Sequence, residues 1–111
     1  MTEGVAFYGH GDNYTPPLGI EAEAIAMGLP LQLPATRPYP QLEYGATATE
    51  IPPAGLSGNL AFGAASGVLA QWAPQERDGH FVVFEVPEAR AQVAEFLRRL
   101  ADNPVGSVPA P

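Results

Sequence analysis

The order of apolar and polar positions along the first part of the chain predicts a strand, a loop and a helix. Residues 5–8, Val-Ala-Phe-Tyr, form an apolar run of strand formers that stops at the polar, Gly-rich segment 9–13. Apolar residues recur at helical spacing from Leu18 to Met27, after a start at Thr15-Pro16-Pro17, and Gly28 is placed to end the helix. We therefore expect a buried strand whose carboxyl end leads into a polar loop.

The second half of the chain repeats this order. The apolar stretch from Leu60 to Ala73 predicts one or two buried strands, with Val68–Ala73 the better candidate. A polar loop follows at Pro74–His80, and the apolar residues 81–84 then predict a short strand or a packed extension. The pattern therefore predicts another strand that leads into a polar loop.

The last helix has the clearest pattern. Pro87 suits its first turn, Glu85 and Glu88 suit the positive end of the helix dipole, and Asn103-Pro104 ends it. Its predicted buried stripe consists of Ala89, Val93, Phe96, Leu97 and Leu100.

No periodicity is visible between Leu29 and Pro53, where six prolines interrupt the chain. Proline prevents a long helix or a central strand, so we expect a long, mostly irregular connection over the surface. We also expect the chain end, residues 105–111, to be a disordered tail. The prediction is an α/β fold in one unit, residues 1–104, with two parallel core strands, an intervening helix and a C-terminal amphipathic helix.

Composition and charge exclude several classes of function. The 111 residues, 46% of them hydrophobic, suit one small domain with a thin core. Twelve acidic residues against five basic ones, a net charge of -7, argue against nucleic-acid binding and against docking on an anionic membrane. Cysteine is absent, which excludes disulfides and thiolate metal sites. No signal peptide or apolar stretch of about 20 residues is present, so localisation stays open.

Two residues with catalytic chemistry follow the two predicted strands. Asp12 lies four residues after the first strand, and His80 lies in the loop after the second. In parallel sheets, functional groups sit in loops beyond the carboxyl ends of strands. Neighbouring parallel strands would bring this carboxylate and this imidazole within hydrogen-bond reach, which is the arrangement of an acid and a base in a nucleophilic triad.

These loops resemble those of a known family. Segment 9–17, Gly-His-Gly-Asp-Asn-Tyr-Thr-Pro-Pro, looks like the acid loop of α/β-hydrolases. Segment 78–81, Asp-Gly-His-Phe, with the helix that begins at Pro87, looks like their histidine loop and final helix. The resemblance is to the last third of bacterial esterase- or lipase-like members. It implies that Asp12 orients the imidazole, that His80 is the general base and acid, and that the substrate is a carboxylic ester, with acyl lipids among the candidates.

The chain departs from the family pattern at the nucleophile. The family's serine stands in G-x-S-x-G and precedes the acid, whereas Ser57, Ser66 and Ser107 all follow Asp12 and none has both flanking glycines. The oxyanion-hole segment is also missing. We therefore expect a fragment that is inactive alone, needs no cofactor or metal, and either associates with a missing N-terminal hydrolase portion or self-associates.

Simpler interpretations of the same residues stay open. Asp12 is also an ordinary turn residue in a Gly-rich loop, and His80 an ordinary exposed loop histidine. Asp78 is an alternative acid, although it stands only two residues from His80. His10 with Asp12 and His80 is a weak candidate metal site, and Gly9 with Gly11 a weak phosphate loop without its third glycine. The rival function is a non-enzymatic α/β binding module that uses Leu29–Pro53 as its recognition surface.

Overall fold

A four-stranded parallel sheet forms the centre of the protein in a computed structural model, which describes residues 4–9, 17–73 and 85–111. The strands are β1 (Gly4–Gly9), β2 (Leu31–Leu33), β3 (Ala48–Glu50) and β4 (Gly67–Trp72), in the spatial order β1-β4-β2-β3. The predicted α/β class is confirmed.

The register places the first and last strands side by side. β1 pairs with β4 in parallel from Gly4 opposite Gly67 to Gly9 opposite Trp72. On the other side of β4, Leu31 of β2 lies opposite Leu69. β4 thus lies inside the sheet. Its residues 67–71 are all buried, as expected of a strand whose two faces are both covered.

The helix α1 (Pro17–Met27) contributes to the core on one face of the sheet. It ends in a Schellman motif, because the Gly28 N–H donates to the Ile25 carbonyl at 3.0 Å and the Leu29 N–H to the Ala24 carbonyl at 2.9 Å. Gly28 has φ +74°, which glycine adopts without strain, so its predicted role as the stop is confirmed. The core on this face consists of Ala24, Leu29, Leu31, Tyr39 and Leu69.

The helix α2 (Pro87–Asp102) packs on the other face of the sheet, and its predicted bounds are confirmed. Its core cluster contains Ile51, Val68, Phe96 and Val108. Of the predicted buried stripe, Ala89 and Phe96 are buried, Val93 and Leu100 are half-buried and Leu97 is 57% exposed, whereas Gln92, which was not predicted, is buried. Gln92 is tolerated there because it exchanges hydrogen bonds with the buried Gln32 of β2 and donates to the Pro109 carbonyl at 3.0 Å.

The prediction that the connection from Leu29 to Pro53 is mostly irregular and lies over the surface is wrong. The segment contains β2, β3 and a 3-10 helix at Pro40–Tyr44. Strands of three residues fit between prolines and carry no periodicity of their own. The segment also buries core residues, among them Leu31 and Ile51.

The chain end is ordered, unlike the predicted disordered tail at 105–111. Val108 is fully buried in the α2 cluster. Its N–H and carbonyl each form a hydrogen bond of 2.8 Å with the backbone of Leu56. The chain end thus closes one side of the core, because Val108 packs against Val68 and Phe96.

The predicted short strand at residues 81–84 lies outside the described residues. Among the described helices, neither α1 nor α2 combines the length and the apolar character that crossing a membrane requires.

Candidate functional site

The carboxyl ends of β1 and β4 are neighbours at one edge of the sheet, which we call the carboxyl edge. Gly9, the last residue of β1, lies opposite Trp72, the last residue of β4. Adjacent strands are about 4.8 Å apart, so the two segments that leave them start close together. Asp12 follows Gly9 by three residues and His80 follows Trp72 by eight.

The candidate triad residues themselves lie outside the described residues. This holds for Asp12 and His80, and equally for the weaker candidates His10, Gly11 and Asp78. Gly9 is described and buried at the end of β1.

A fully buried carboxylate lies on α1, the helix that follows the Asp12 segment. The Glu21 side chain is 0% exposed, and its Oε1 lies 3.4 Å from Arg37 Nη2. Its Oε2 accepts a hydrogen bond of 2.9 Å from Gln41 Nε2. An ion partner and an amide donor together compensate for the removal of this charge from water. The segment after β2 is thereby fastened to the first half of α1.

The same segment is also fastened to β4. Gln71 stands one residue before the end of β4 and is buried. Its Oε1 accepts hydrogen bonds from the backbone N–H of Thr36 at 3.0 Å and of Arg37 at 3.3 Å. We call Glu21, Arg37 and Gln71 the carboxyl-edge brace. These residues link α1, which follows the Asp12 segment, to β4, which precedes the His80 segment.

Tyr39 completes the buried polar environment of Glu21. Burial raises the pKa of the Tyr39 phenol above its ordinary value of 10.0, and the nearby negative charge of Glu21 raises this pKa further. Both effects favour the neutral phenol. The Tyr39 hydroxyl and Gln41 Oε1 are buried without a hydrogen-bond partner among the described residues.

Sequence reasoning missed the brace, although one signal pointed to it. Glu21 precedes Ala24 by three residues and therefore shares the helical face that packs on the sheet. A charged residue on a buried face is rare unless it is paired. Its partners Arg37 and Gln71 have no sequence spacing that indicates the contact.

Trp72 ends β4 at the same edge. Its ring packs against Val86 and Ala89 at the start of α2. Its Nε1 is buried and has no hydrogen-bond partner among the described residues. An indole N–H is a donor only, so an acceptor is needed to compensate for its removal from water.

The three serines lie at the other end of β4. Ser66 immediately precedes β4, and its fully buried Oγ donates to the Val105 carbonyl and accepts from the Gly58 N–H, both at 2.8 Å. Ser57 Oγ donates to the Gly106 carbonyl at 2.7 Å. Ser107 Oγ accepts from Arg99 Nη1 at 3.1 Å.

These contacts give the serines structural roles. Ser66 and the carboxyl end of β4 are separated by a strand of six residues, a length of about 20 Å. Ser57 and Ser107 are tied to the same chain end as Ser66. None of the three therefore lies where it can attack a substrate held at the carboxyl edge.

Metal ligands do not cluster in the described part of the chain, where no group of three or more His, Cys, Asp or Glu side chains can hold an ion.

The sequence matches no family model, no curated protein and no solved structure.

Proposed function

We propose that this chain is the C-terminal part of a serine hydrolase that acts on carboxylic esters. In this proposal Asp12 is the acid and His80 the base of a catalytic triad. The observation that carries it is the parallel pairing of β1 with β4, which starts the Asp12 and His80 segments side by side at one edge of the sheet.

The proposed roles follow from the chemistry of a triad. Asp12 orients the imidazole of His80 and stabilises its protonated form. His80 removes the proton from a serine hydroxyl as it attacks the ester carbonyl, and then returns a proton to the leaving alcohol. The serine and the oxyanion donors must come from another segment, because all three serines of this chain lie at the opposite end of β4. The chain alone is therefore expected to be inactive.

The carboxyl-edge brace supports this proposal. A base and its orienting acid require a fixed separation, and groups held by packed elements keep such geometry better than free loops. Glu21 and Gln71 belong to the two elements that border the proposed site, and both are held by the segment at 36–37. We infer that this segment sets the distance between α1 and the end of β4.

A cross-linking experiment tests whether the two proposed residues meet. The chain contains no cysteine, so the double variant Asp12→Cys/His80→Cys carries the only two thiols. A disulfide requires Cα atoms about 4.4–6.8 Å apart, and we expect this pair to form one intramolecularly under mild oxidation. Phe62→Cys/His80→Cys is the control that should remain reduced, because Phe62 precedes β4 and the His80 segment leaves the opposite end of that strand. If the control cross-links as readily as the test pair, or the test pair stays reduced, the proposed site is refuted.

The catalytic role has a separate test. The DNA upstream of the Met1 codon is expected to encode a G-x-S-x-G after a strand pattern. With that portion restored, His80→Ala and Asp12→Asn should abolish or strongly reduce hydrolysis of a p-nitrophenyl ester, whereas Asp78→Asn should retain it. Retained activity in His80→Ala would remove the role of His80. Unrelated upstream sequence would favour the alternative function, a non-enzymatic α/β binding module.

A further inference from the structure

The two edge strands of the sheet differ in how well they are protected from pairing. β3, at one edge, has three residues, of which Ala48 and Glu50 are exposed. Pro52 and Pro53 follow it closely in the chain. Short length, charge and nearby proline are features that keep an edge strand from pairing with another segment. β1, at the other edge, is twice as long and contains neither a charged residue nor a proline.

The sequence of β1 is typical of a strand inside a sheet. Between Gly4 and Gly9 it reads Val-Ala-Phe-Tyr, which is apolar at every position. Such continuous apolar runs characterise strands within a parallel sheet. The interior strand β4 has the same character at residues 68–70, which are all fully buried. Among the described residues, however, β1 pairs with β4 alone, so no described strand lies along its outer edge.

The backbone of β1 has the same requirement as its sequence. One side of the strand is paired with β4 over all six residues, from Gly4 to Gly9. The backbone groups that point to the other side need water or another strand as a partner. Water satisfies these groups but leaves an apolar run at the edge of the sheet, whereas an added strand satisfies the groups and also covers the run.

We propose that the outer edge of β1 binds an extended apolar segment of the missing hydrolase portion, which runs parallel to β1 and continues the sheet. This inference rests on the proposed function. All strand pairs of the described sheet are parallel. The carboxyl end of a parallel neighbour lies next to that of β1, so the segment that follows the added strand starts beside the Asp12 segment. The partner thereby reaches the carboxyl edge, where the proposed site needs a serine and oxyanion donors.

A second copy of this chain fits the β1 edge less well than the missing portion. The net charge of -7 opposes self-association. A twofold axis perpendicular to the sheet would also pair β1 with its own copy in the antiparallel direction, unlike the three pairs of the described sheet. The carboxyl edges of the two copies would then lie at opposite ends of the joined strands. Such a pair would not complete the proposed site.

Amide hydrogen exchange of the full chain, followed by NMR, tests whether the outer edge of β1 is open. We expect protected and exchanging amides to alternate along residues 5–8, because successive amides point to opposite sides of a strand. Protection of the buried residues 68–70 of β4 shows that the sheet is folded in the same sample. Protection of every amide in residues 5–8 of the chain alone would overturn the inference. A monomer would then assign the edge to another part of this chain, and a dimer would assign it to a second copy.

The hydrolase portion encoded upstream of Met1, produced as a separate polypeptide, is the probe for the added strand. Its addition should protect the exchanging amides of β1 and leave exchange in β3 unchanged, because the β3 edge stays open. Ala6→Pro and Phe7→Pro replace successive residues, so one removes an amide bonded to β4 and the other an amide that points outward. The outward variant should leave the melting temperature of the chain near that of the parent and weaken assembly about tenfold or more. Assembly of parental strength in both variants would refute the added strand.

The outcomes of this experiment separate the added strand from the proposed function. An assembly whose ester hydrolysis depends on His80, but in which the outward amides of β1 still exchange, would refute the strand and leave the hydrolase. Protection of these amides in an assembly without hydrolase activity would support the strand and refute the hydrolase. An upstream sequence that encodes no hydrolase portion would refute both.

Discussion

Arg37 Nη2 lies 3.4 Å from Glu21 Oε1, and this ion pair joins the first half of α1 to the segment that leaves β2. The two ends of the pair differ in environment, because the Glu21 side chain is fully buried and that of Arg37 is 29% exposed. A buried carboxylate that loses its charged partner lowers the free energy of unfolding, because its removal from water is then only partly offset. The pair therefore makes α1 sensitive to changes at a residue that is distant in sequence.

Replacement of the partly exposed cation should reveal that sensitivity. Arg37→Ala leaves Glu21 with Gln41 as its remaining donor among the side-chain contacts described above, so the free energy of unfolding should fall by about 3 kcal/mol. Urea denaturation measures this change. Arg98→Ala is the matched control, because Arg98 pairs with Glu95 and Asp102 on the exposed face of α2, where water screens the charges, and its removal should change stability much less. Equal effects of the two replacements would contradict the role of Glu21.

Tyr39→Phe should stabilise the protein. The Tyr39 hydroxyl is buried without a partner among the described residues, and an unpaired buried polar group costs about 1–3 kcal/mol. The substitution should also change the alkaline pH dependence. Because the folded-state pKa of Tyr39 is raised, the preference of the fold for the neutral phenol contributes stability below pH 10. This contribution is lost as the pH rises through the folded-state pKa. Urea titrations at neutral and alkaline pH test both points, and a loss of stability in Tyr39→Phe at neutral pH would show that the hydroxyl has a partner.

Ser66→Ala should destabilise the junction between β4 and the chain end. The Oγ of this fully buried serine bonds Val105 and Gly58, and its removal leaves both backbone groups without that partner, at a cost of about 1–3 kcal/mol. Ser57→Ala is the control, because Ser57 is exposed and water replaces its bond to the Gly106 carbonyl. Thermal unfolding should place Ser66→Ala well below Ser57→Ala. If the two variants melt together, Ser66 does not hold the chain end.

Acid should weaken α2 through Glu95. Hydrogen bonds from Arg98 and then Arg99 lower the Glu95 pKa from 4.5 to about 2. A carboxylate whose pKa is lower in the folded state than in the unfolded state stabilises the fold at pH values above its unfolded-state pKa. This stabilisation is lost as the pH falls from 4.5 towards 2. The difference in unfolding free energy between the parent chain and Glu95→Gln should therefore shrink over that interval. A difference that stays constant from pH 6 to pH 2 would show that the carboxylate contributes nothing through its charge.

Local patterns in the sequence predicted the long elements correctly. The apolar run before Ala73, the helical spacing before Gly28 and the Pro87–Asn103 signals each correspond to an observed strand or helix. They failed where an element is short or where its stability comes from distant contacts. β2 and β3 have three residues each, too few for any periodicity, and Val108 is held by its bridge to Leu56 and by its packing against Val68 and Phe96.

For the proposed site, the sequence supplied Asp12 and His80, each in a polar segment after a strand, because a change from an apolar run to Gly, Asp and His is visible locally. Only the tertiary structure made those two strands parallel neighbours, and only it buried Glu21 against Arg37 and placed the serines at the far end of β4. The physical reason is that pairing between strands almost sixty residues apart depends on how helices and connections fill both faces of the sheet, which no local pattern contains.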